Sequence, residues 1–295
     1  MSRQASGLRW KINRLRVMGP AEILYRAENA VKGKLEKAGF GRVQPQAPQG
    51  VSGKPIAHGK VPALDPAPYA AAAEKVLAGH YRVFSLEAQI GFPPEWNRCP
   101  KTGTRAPLTY GKAINYREES IVGDIKYLWE PNRHLELVTL AQAWKLTGEP
   151  RYLAGCRTLL DSWFEQCPYP LGVNWTSSLE HSIRLVNWSF AWGLLGGDQS
   201  PLFAGEEGAG FKARWLASVR EHLHFISGHF SKYSSANNHL LGEYLGLIVG
   251  CLTWPLWREC AGWLTTAWAG FEYEALLQNT ADGVNREQAI YTSTR

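Results

Sequence analysis

The stretch SSANNHLLGEYLGL, residues 234–247, places two amides and an imidazole side by side at the start of an apolar segment: Asn237, Asn238 and His239. A helix start needs about one such cap, because Ser, Asn and Asp accept hydrogen bonds from the free N–H groups of the first turn. The surplus donors and acceptors must meet water, another buried polar group or a ligand. The stretch therefore predicts a helix start that also presents groups for binding.

A second polar set lies on the segment WTSSLEHSIRLVNWSF, residues 175–190. Glu180, Arg184 and Asn187 recur at helical spacing and form a polar stripe beside an apolar one. As a structural feature the stripe would be a Glu–Arg pair contributing a few tenths of a kcal/mol. As a functional feature it would line a ligand groove, and the sequence leaves both interpretations open.

Polar residues also gather in two other segments. Arg133 and His134 stand in NRHLELV, directly after a tryptophan and a glutamate, where again one cap would suffice. The segment DGVNREQAIY, residues 282–291, carries Glu287 one turn before Tyr291. Taken alone, such a tyrosine is more often a half-buried aromatic than a catalytic group.

No metal or cofactor is expected. His239 and Glu243 are four residues apart, a spacing that can bind a metal given a third ligand, but a single HxxxE pattern is weak evidence. The five cysteines form no CxxC pair, so buried thiols are the expectation.

The combination of these groups points to a reaction class. The chain has no nucleotide-binding loop and no GxSxG elbow, but it presents amide, guanidinium, imidazole and phenol groups beside many of its 13 tryptophans. β-Elimination from a uronic acid needs an Asn or Arg to neutralise the sugar carboxylate, which makes the adjacent proton acidic. It also needs a Tyr or His to remove that proton and protonate the leaving oxygen.

The elements that must position these groups are helices. From residue 130 onward, apolar residues recur at i, i+3, i+4 and i+7 in successive segments that end in Gly, Pro or Asn. We predict an all-α fold of antiparallel helical hairpins, and the absence of a fixed repeat favours an α/α toroid over a solenoid. Residues 81–125 are expected to be irregular.

The N-terminal part of the chain is basic. Residues 1–60 carry 12 Lys and Arg against 3 Glu, a net charge of +9, whereas the remainder carries −3. We predict a basic helical segment over residues 1–40 with Pro20 in a helix's first turn, a Pro-rich linker or wrap over 41–69, and the helical domain over 70–295. The charge suits an anionic partner or a solvated helix face. No apolar run could span a membrane and no Sec signal peptide is visible, so the cytoplasm is the default compartment.

Five stretches resemble the heparinase II/III-like polysaccharide lyases: INYRE, VGDIKYLWEPNRHLELVTLAQAWKLTGEPRY, GVNWTSSLEHSIRLVNW, YSSANNHLLGEYLGL and DGVNREQAIY. The resemblance covers roughly residues 80–291 and implies an incomplete α/α toroid that cleaves a uronate-containing polysaccharide by β-elimination. It implies a bacterial protein whose partner is an acidic polysaccharide, with no nucleic acid. Relatives continue into a β-sandwich domain after the tyrosine, so a C-terminally truncated chain, inactive by itself, is one expectation.

The resemblance also implies roles for single residues. Asn237 looks like the carboxylate-neutralising amide, and Tyr291 looks like the acid/base. The implied substrate-binding set is Arg133, His134, Trp175, Glu180, Arg184, Asn238, His239, Glu243 and Glu287.

Two alternatives stay open at this point. One is a hydrolase on the same toroid that uses Glu180 and Glu287, which an inverting mechanism would hold about 6.5 to 9.5 Å apart. The other is a non-catalytic glycan-binding or scaffold module for polysaccharide assembly or export.

Overall fold

The structure, a computed structural model, describes residues 18–59 and 63–285. The helices are α1 (Pro20–Lys37), α2 (Ala67–Leu77), α3 (Glu119–Val122), α4 (Ile125–Trp129), α5 (Leu135–Thr147), α6 (Pro150–Gln166), α7 (Ser178–Leu194), α8 (Gly205–Gly228), α9 (Asn238–Thr253) and α10 (Glu259–Gln278). Single 3-10 turns lie at Gly111–Ala113, Pro131–Arg133, Val173–Trp175, Gly197–Gln199, Pro201–Phe203 and Tyr233–Ser235. The predicted all-α class is confirmed. In these two ranges, no helix is both long enough and apolar enough to cross a bilayer.

The long helices alternate between an inner and an outer layer. α5, α7 and α9 contact one another in that order, and each pairs with the helix that follows it in the chain, which is α6, α8 or α10. α7 is buried on most of its circumference, as an inner helix must be. Gly246 of α9 allows a close approach to α7, because a Cβ there would come under 3.0 Å from Ser182. The arrangement is an incomplete α/α toroid, as predicted.

Aromatic side chains fill the space between the two layers. Seven tryptophans are at most 2% exposed: Trp96, Trp163, Trp175, Trp188, Trp192, Trp215 and Trp254. Several meet edge to face with ring centroids 5 to 6 Å apart, for example Trp192 and Trp215 at 5.1 Å. The tryptophan content therefore serves mainly the core.

The segment between α2 and α3 contains a hairpin that the sequence analysis did not anticipate. β1 (His80–Val83) and β2 (Leu86–Gln89) pair antiparallel within the range predicted to be irregular. Tyr81 and Val83 alternate inward and are each 1% exposed. Strands of four residues give too short an alternation to stand out from a loop.

The Pro-rich segment runs in extended form along the toroid. The backbone N–H groups of Gln49 and Gly53 donate to the carbonyls of Leu256 and Thr253, at 2.8 Å in both cases. Ile56 N–H donates to Ser189 Oγ at 3.0 Å. The segment thus connects α1 to the toroid while lying against α7 and the α9–α10 connection.

Helix α1 packs with its polar side inward. It begins at Pro20, as predicted, but the residues it buries are Glu22 and Glu36. Leu24, Val31 and Leu35 form its apolar stripe, and they are 60%, 58% and 49% exposed. Polar contacts, and not apolar burial, therefore hold this helix on the toroid.

Candidate functional site

Asn237 is the N-cap of helix α9. Its Oδ1 accepts from His239 N–H at 2.9 Å, and its backbone carbonyl accepts from Gln278 Nε2 at 3.0 Å. The side chain is half-buried, and no described residue accepts a hydrogen bond from its Nδ2. One residue therefore both caps the helix and keeps an amide N–H₂ available.

The two neighbours of Asn237 have different surroundings. Asn238 is half-buried, and its Oδ1 has no hydrogen-bond partner among the described residues. The His239 side chain is exposed, although its backbone N–H is the group that Asn237 caps. Of the three adjacent polar residues, Asn237, which the resemblance makes the carboxylate-neutralising amide, is the one that caps the helix.

Glu243 ties down the loop that leads to Asn237. It is 1% exposed, and its two carboxylate oxygens accept from Ser231 N–H and Ser231 Oγ, both at 2.7 Å. Burial raises the pKa of Glu243 to about 7, although the two Ser231 donors act in the opposite direction. Glu243 therefore positions Ser231 through both of its carboxylate oxygens. Within residues 18–59 and 63–285, no three metal-ligating side chains converge.

A cleft of about 550 Å³ lies between helix α1 and the loops of the toroid. We call it the basic cleft, because four lysines line it: Lys34, Lys37, Lys112 and Lys232. No carboxylate oxygen of a described residue lies within 4.0 Å of any of these ammonium groups. Ser235 also lines the cleft, two residues before Asn237. The Asn237 side chain, which caps α9, is therefore two residues along the chain from the lining of the basic cleft.

The floor of the cleft connects to the start of helix α7. Lys112 Nζ donates to the Thr176 carbonyl at 3.4 Å, and Ser178 Oγ donates to the His229 carbonyl at 2.8 Å. These bonds fix the loops on either side of the cleft against the inner ring.

Helix α1 reaches the cleft through hydrogen bonds to backbone carbonyls. Tyr25 Oη donates to the Phe230 carbonyl at 2.5 Å, and Lys32 Nζ donates to the Gly228 carbonyl at 2.9 Å. Ser234 Oγ donates to Glu22 at 2.6 Å. The helix is therefore attached to residues 228–235, the loop that ends at the α9 cap.

A buried cluster around Glu36 completes this attachment. Glu36 is 3% exposed and its Oε2 accepts from Tyr110 Oη at 2.7 Å, while His229 Nε2 lies 3.1 Å away. His229 Nδ1 lies 2.9 Å from the Phe225 carbonyl, so both ring nitrogens face acceptors. Burial would raise the pKa of Glu36, but His229, Tyr110 and Lys32 lower it to about 2.

A second buried ionic cluster holds the start of helix α7. Arg133 donates to both oxygens of Glu180, from Nε at 2.9 Å and from Nη2 at 3.0 Å, and Nη1 donates to Glu130 at 2.7 Å. The Glu180 side chain is 3% exposed. The anticipated pairing of Glu180 with Arg184, four residues on, is wrong, because both carboxylate oxygens are directed to Arg133 from another element.

Arg184, His134 and Trp175 lie in the core. Arg184 is fully buried and donates to His222 Nε2 at 2.9 Å and to the carbonyls of Asn132 and Asn174. His134, which takes a left-handed backbone with φ 62°, accepts from an indole N–H through Nδ1, and Trp175 is 1% exposed. Because these three residues are at most 1% exposed, their side chains order the inner ring and do not line a groove in this structure.

Comparison with known proteins agrees with this architecture. Residues 96–292 match the family described as Heparinase II/III N-terminus. The chain belongs to the heparinase II/III family. No curated protein sequence matches it.

Solved structures resemble this heparinase II/III family chain in fold. The heparan sulfate lyase HepC from Pedobacter heparinus aligns with a TM-score of 0.57 and 18% identity, over 79% of this chain and 33% of that one. A HepC mutant aligns with a TM-score of 0.53 and 19% identity, over 93% and 38%. A heparinase III, the BT4657 gene product with methylated lysines, aligns with a TM-score of 0.50 and 18% identity, over 77% and 35%. The chain spans about a third of the length of these structures.

The structure brings some of the anticipated site residues of the heparinase II/III family chain together and separates others. Asn237, Asn238 and Glu243 lie around one loop, whereas Arg133 and Glu180 form their own cluster. Glu287 and Tyr291 lie outside the described residues. The lysines of the basic cleft were not anticipated individually, although the +9 charge of the first 60 residues was a signal for those on helix α1.

Proposed function

We propose that this heparinase II/III family chain is the toroid part of a polysaccharide lyase that acts on an acidic, uronate-containing glycan. Family membership supports a lyase-like protein, and the basic cleft supports an anionic ligand. The observation that carries the proposal is the Asn237 amide, whose N–H₂ has no acceptor among the described residues and stands two residues from the cleft lining.

In the proposed reaction, the Asn237 N–H₂ donates to the uronate carboxylate and stabilises the charge that develops on it. A base removes the proton from the carbon beside the carboxylate, and that electron pair becomes a carbon–carbon double bond. The glycosidic C–O bond on the next carbon breaks, and its oxygen takes a proton. We assign the base and acid role to Tyr291 on family resemblance.

Two substitutions at Asn237 separate the cap from the chemistry. Asn237→Ser keeps a cap oxygen and should leave the free energy of unfolding nearly unchanged, whereas Asn237→Ala should lower it by about 1 kcal/mol. Both lack the amide donor, so both should lower the rate of unsaturated product formation about 100-fold or more. Ultraviolet absorbance of the conjugated product measures the rate on polyuronides. Full activity in Asn237→Ser would refute the assignment.

A non-catalytic glycan-binding module is the second candidate, because cleft lysines that pair with no described carboxylate bind an anionic chain without any chemistry. Binding of polyuronides with no unsaturated product would favour it. The hydrolase alternative gains no support at Glu180, because both its oxygens are bonded to Arg133 and its side chain is buried.

A further inference from the structure

Helix α1 lies outside residues 96–292, which match the family, yet it forms one wall of the basic cleft. Its Lys34 and Lys37 line the cleft from the exposed side of the helix, and they are three residues apart and therefore neighbours on the helix surface. Lys112 and Lys232 stand on the opposite wall, which the toroid loops provide. The two walls thus bring positive charge from separate parts of the chain to one cavity.

Among residues 18–59 and 63–285, the carboxylates nearest to this cavity are already engaged. Glu22 pairs with Arg26 at 2.8 Å and accepts from Ser234, and Glu243 is held by Ser231. Glu36 is bonded beneath the cleft to Tyr110 and His229. They cannot reach the four lysines without breaking these bonds, so the charge of the lysines is left for a ligand.

The chemistry of the lining fits a compact anionic group. An ammonium group is a point charge with three rotatable donors, and it binds oxyanions without requiring the planar geometry that a guanidinium prefers. The lining also offers the hydroxyl group of Ser235, whereas the hydroxyl groups of Tyr25 and Ser231 donate to the Phe230 carbonyl and to Glu243. A volume of about 550 Å³ lies within the usual range of ligand sites.

We propose that the basic cleft is a binding subsite for an anionic group of the glycan, a carboxylate or a sulfate, separate from the carboxylate that faces Asn237. Helix α1 supplies half of this subsite. The class of ligand rests on the proposed function, but occupancy of the subsite does not depend on cleavage. The subsite would hold the glycan by a group distant from the reacting ring.

The test is a charge-matched pair of double variants. Lys34→Ala/Lys37→Ala removes two cleft charges from α1, and Lys75→Ala/Lys145→Ala removes two exposed helix lysines elsewhere that make no ion pair with described residues. Isothermal titration calorimetry gives the Kd for a heparin-derived tetrasaccharide and for a polygalacturonate-derived tetrasaccharide. We expect the cleft pair to raise the Kd about tenfold and to reduce its salt dependence, and the control pair to leave both nearly unchanged.

A third variant, Lys112→Ala/Lys232→Ala, removes the charges of the opposite wall without altering α1, and it should weaken binding similarly. Weaker binding of the sulfated probe alone would identify the group as a sulfate, and weaker binding of both would show that a carboxylate suffices. Equal weakening by the control pair, no change in either cleft variant, or no binding of either probe would overturn the proposal. Cleft-dependent binding without unsaturated product would leave the subsite standing while the proposed reaction fails.

Discussion

The cluster around Glu36 makes a prediction about how helix α1 is attached. Glu36 is the one residue of this helix that meets both Tyr110 and His229, whose hydroxyl and ring lie 2.7 and 3.1 Å from its Oε2. Glu36→Ala removes both contacts and leaves the Tyr110 hydroxyl and the buried His229 ring without their carboxylate partner. We expect the helix to leave the toroid surface far more often.

The size of the effect follows from the pKa of Glu36. The lowering of this pKa from 4.5 to about 2 corresponds to about 3 kcal/mol at neutral pH. Because the pKa is lowered in the folded protein, this stabilisation is present above pH 4.5 and is lost as the pH falls towards 2. Local opening of α1 should therefore increase on the order of 100-fold in Glu36→Ala at neutral pH.

Hydrogen exchange of the α1 amides, followed by mass spectrometry, measures this opening. Glu28→Ala is the matched control, because it makes the same change in the same helix at an exposed residue with no ion pair to described residues. Its exchange should remain near that of the wild type, and the difference between the variants should shrink below pH 4.5. Equal protection of α1 in both variants at neutral pH would refute the reasoning.

Two further perturbations test the buried polar groups of the toroid. Arg133→Met should lower the free energy of unfolding in urea by about 3 to 5 kcal/mol, because it leaves the Glu180 carboxylate buried and unpaired. The double variant Arg133→Met/Glu180→Leu should recover much of this lost stability. A double variant that loses as much stability as the two single variants added together would contradict the expectation. Burial lowers the pKa of three core histidines, so stability that they contribute is lost as the pH falls below about 6.5; they are His134, His181 and His222. His181→Phe removes one of these histidines and should reduce the slope of the unfolding free energy against pH by up to about 1.4 kcal/mol per pH unit below about pH 6.5. An unchanged slope would contradict the contribution assigned to His181.

The helices could be predicted because their signals are local. The apolar periodicity and the Gly, Pro and Asn breaks after residue 130 reproduce α5 to α10 with small boundary differences, for example α9 starting at Asn238. Alternation of inner and outer helices followed from the toroid that these hairpins suggested. The β1–β2 hairpin was not predicted, because its strands are too short for an alternating apolar pattern to be recognised in the sequence.

The site was harder to predict because its partners are distant in the chain. Glu180 has an arginine four residues away, but its carboxylate binds Arg133, 47 residues earlier. Helical spacing shows which residues share a face, whereas the choice of partner depends on how the helices pack. Similarly, the amphipathic pattern of α1 indicates a helix, but no local feature indicates that its polar side would pack inward.

The attachment of helix α1 also bears on the order in which the protein folds during synthesis. Its hydrogen bonds to the loop of residues 228–235 join residues separated by 193 to 212 positions, for example Tyr25 and Phe230 at 205. At about 5 to 20 residues per second, the ribosome completes the receiving loop roughly 10 to 40 s after the helix has been made. Until then the helix lacks its carbonyl partners, so its docking cannot precede synthesis of that loop.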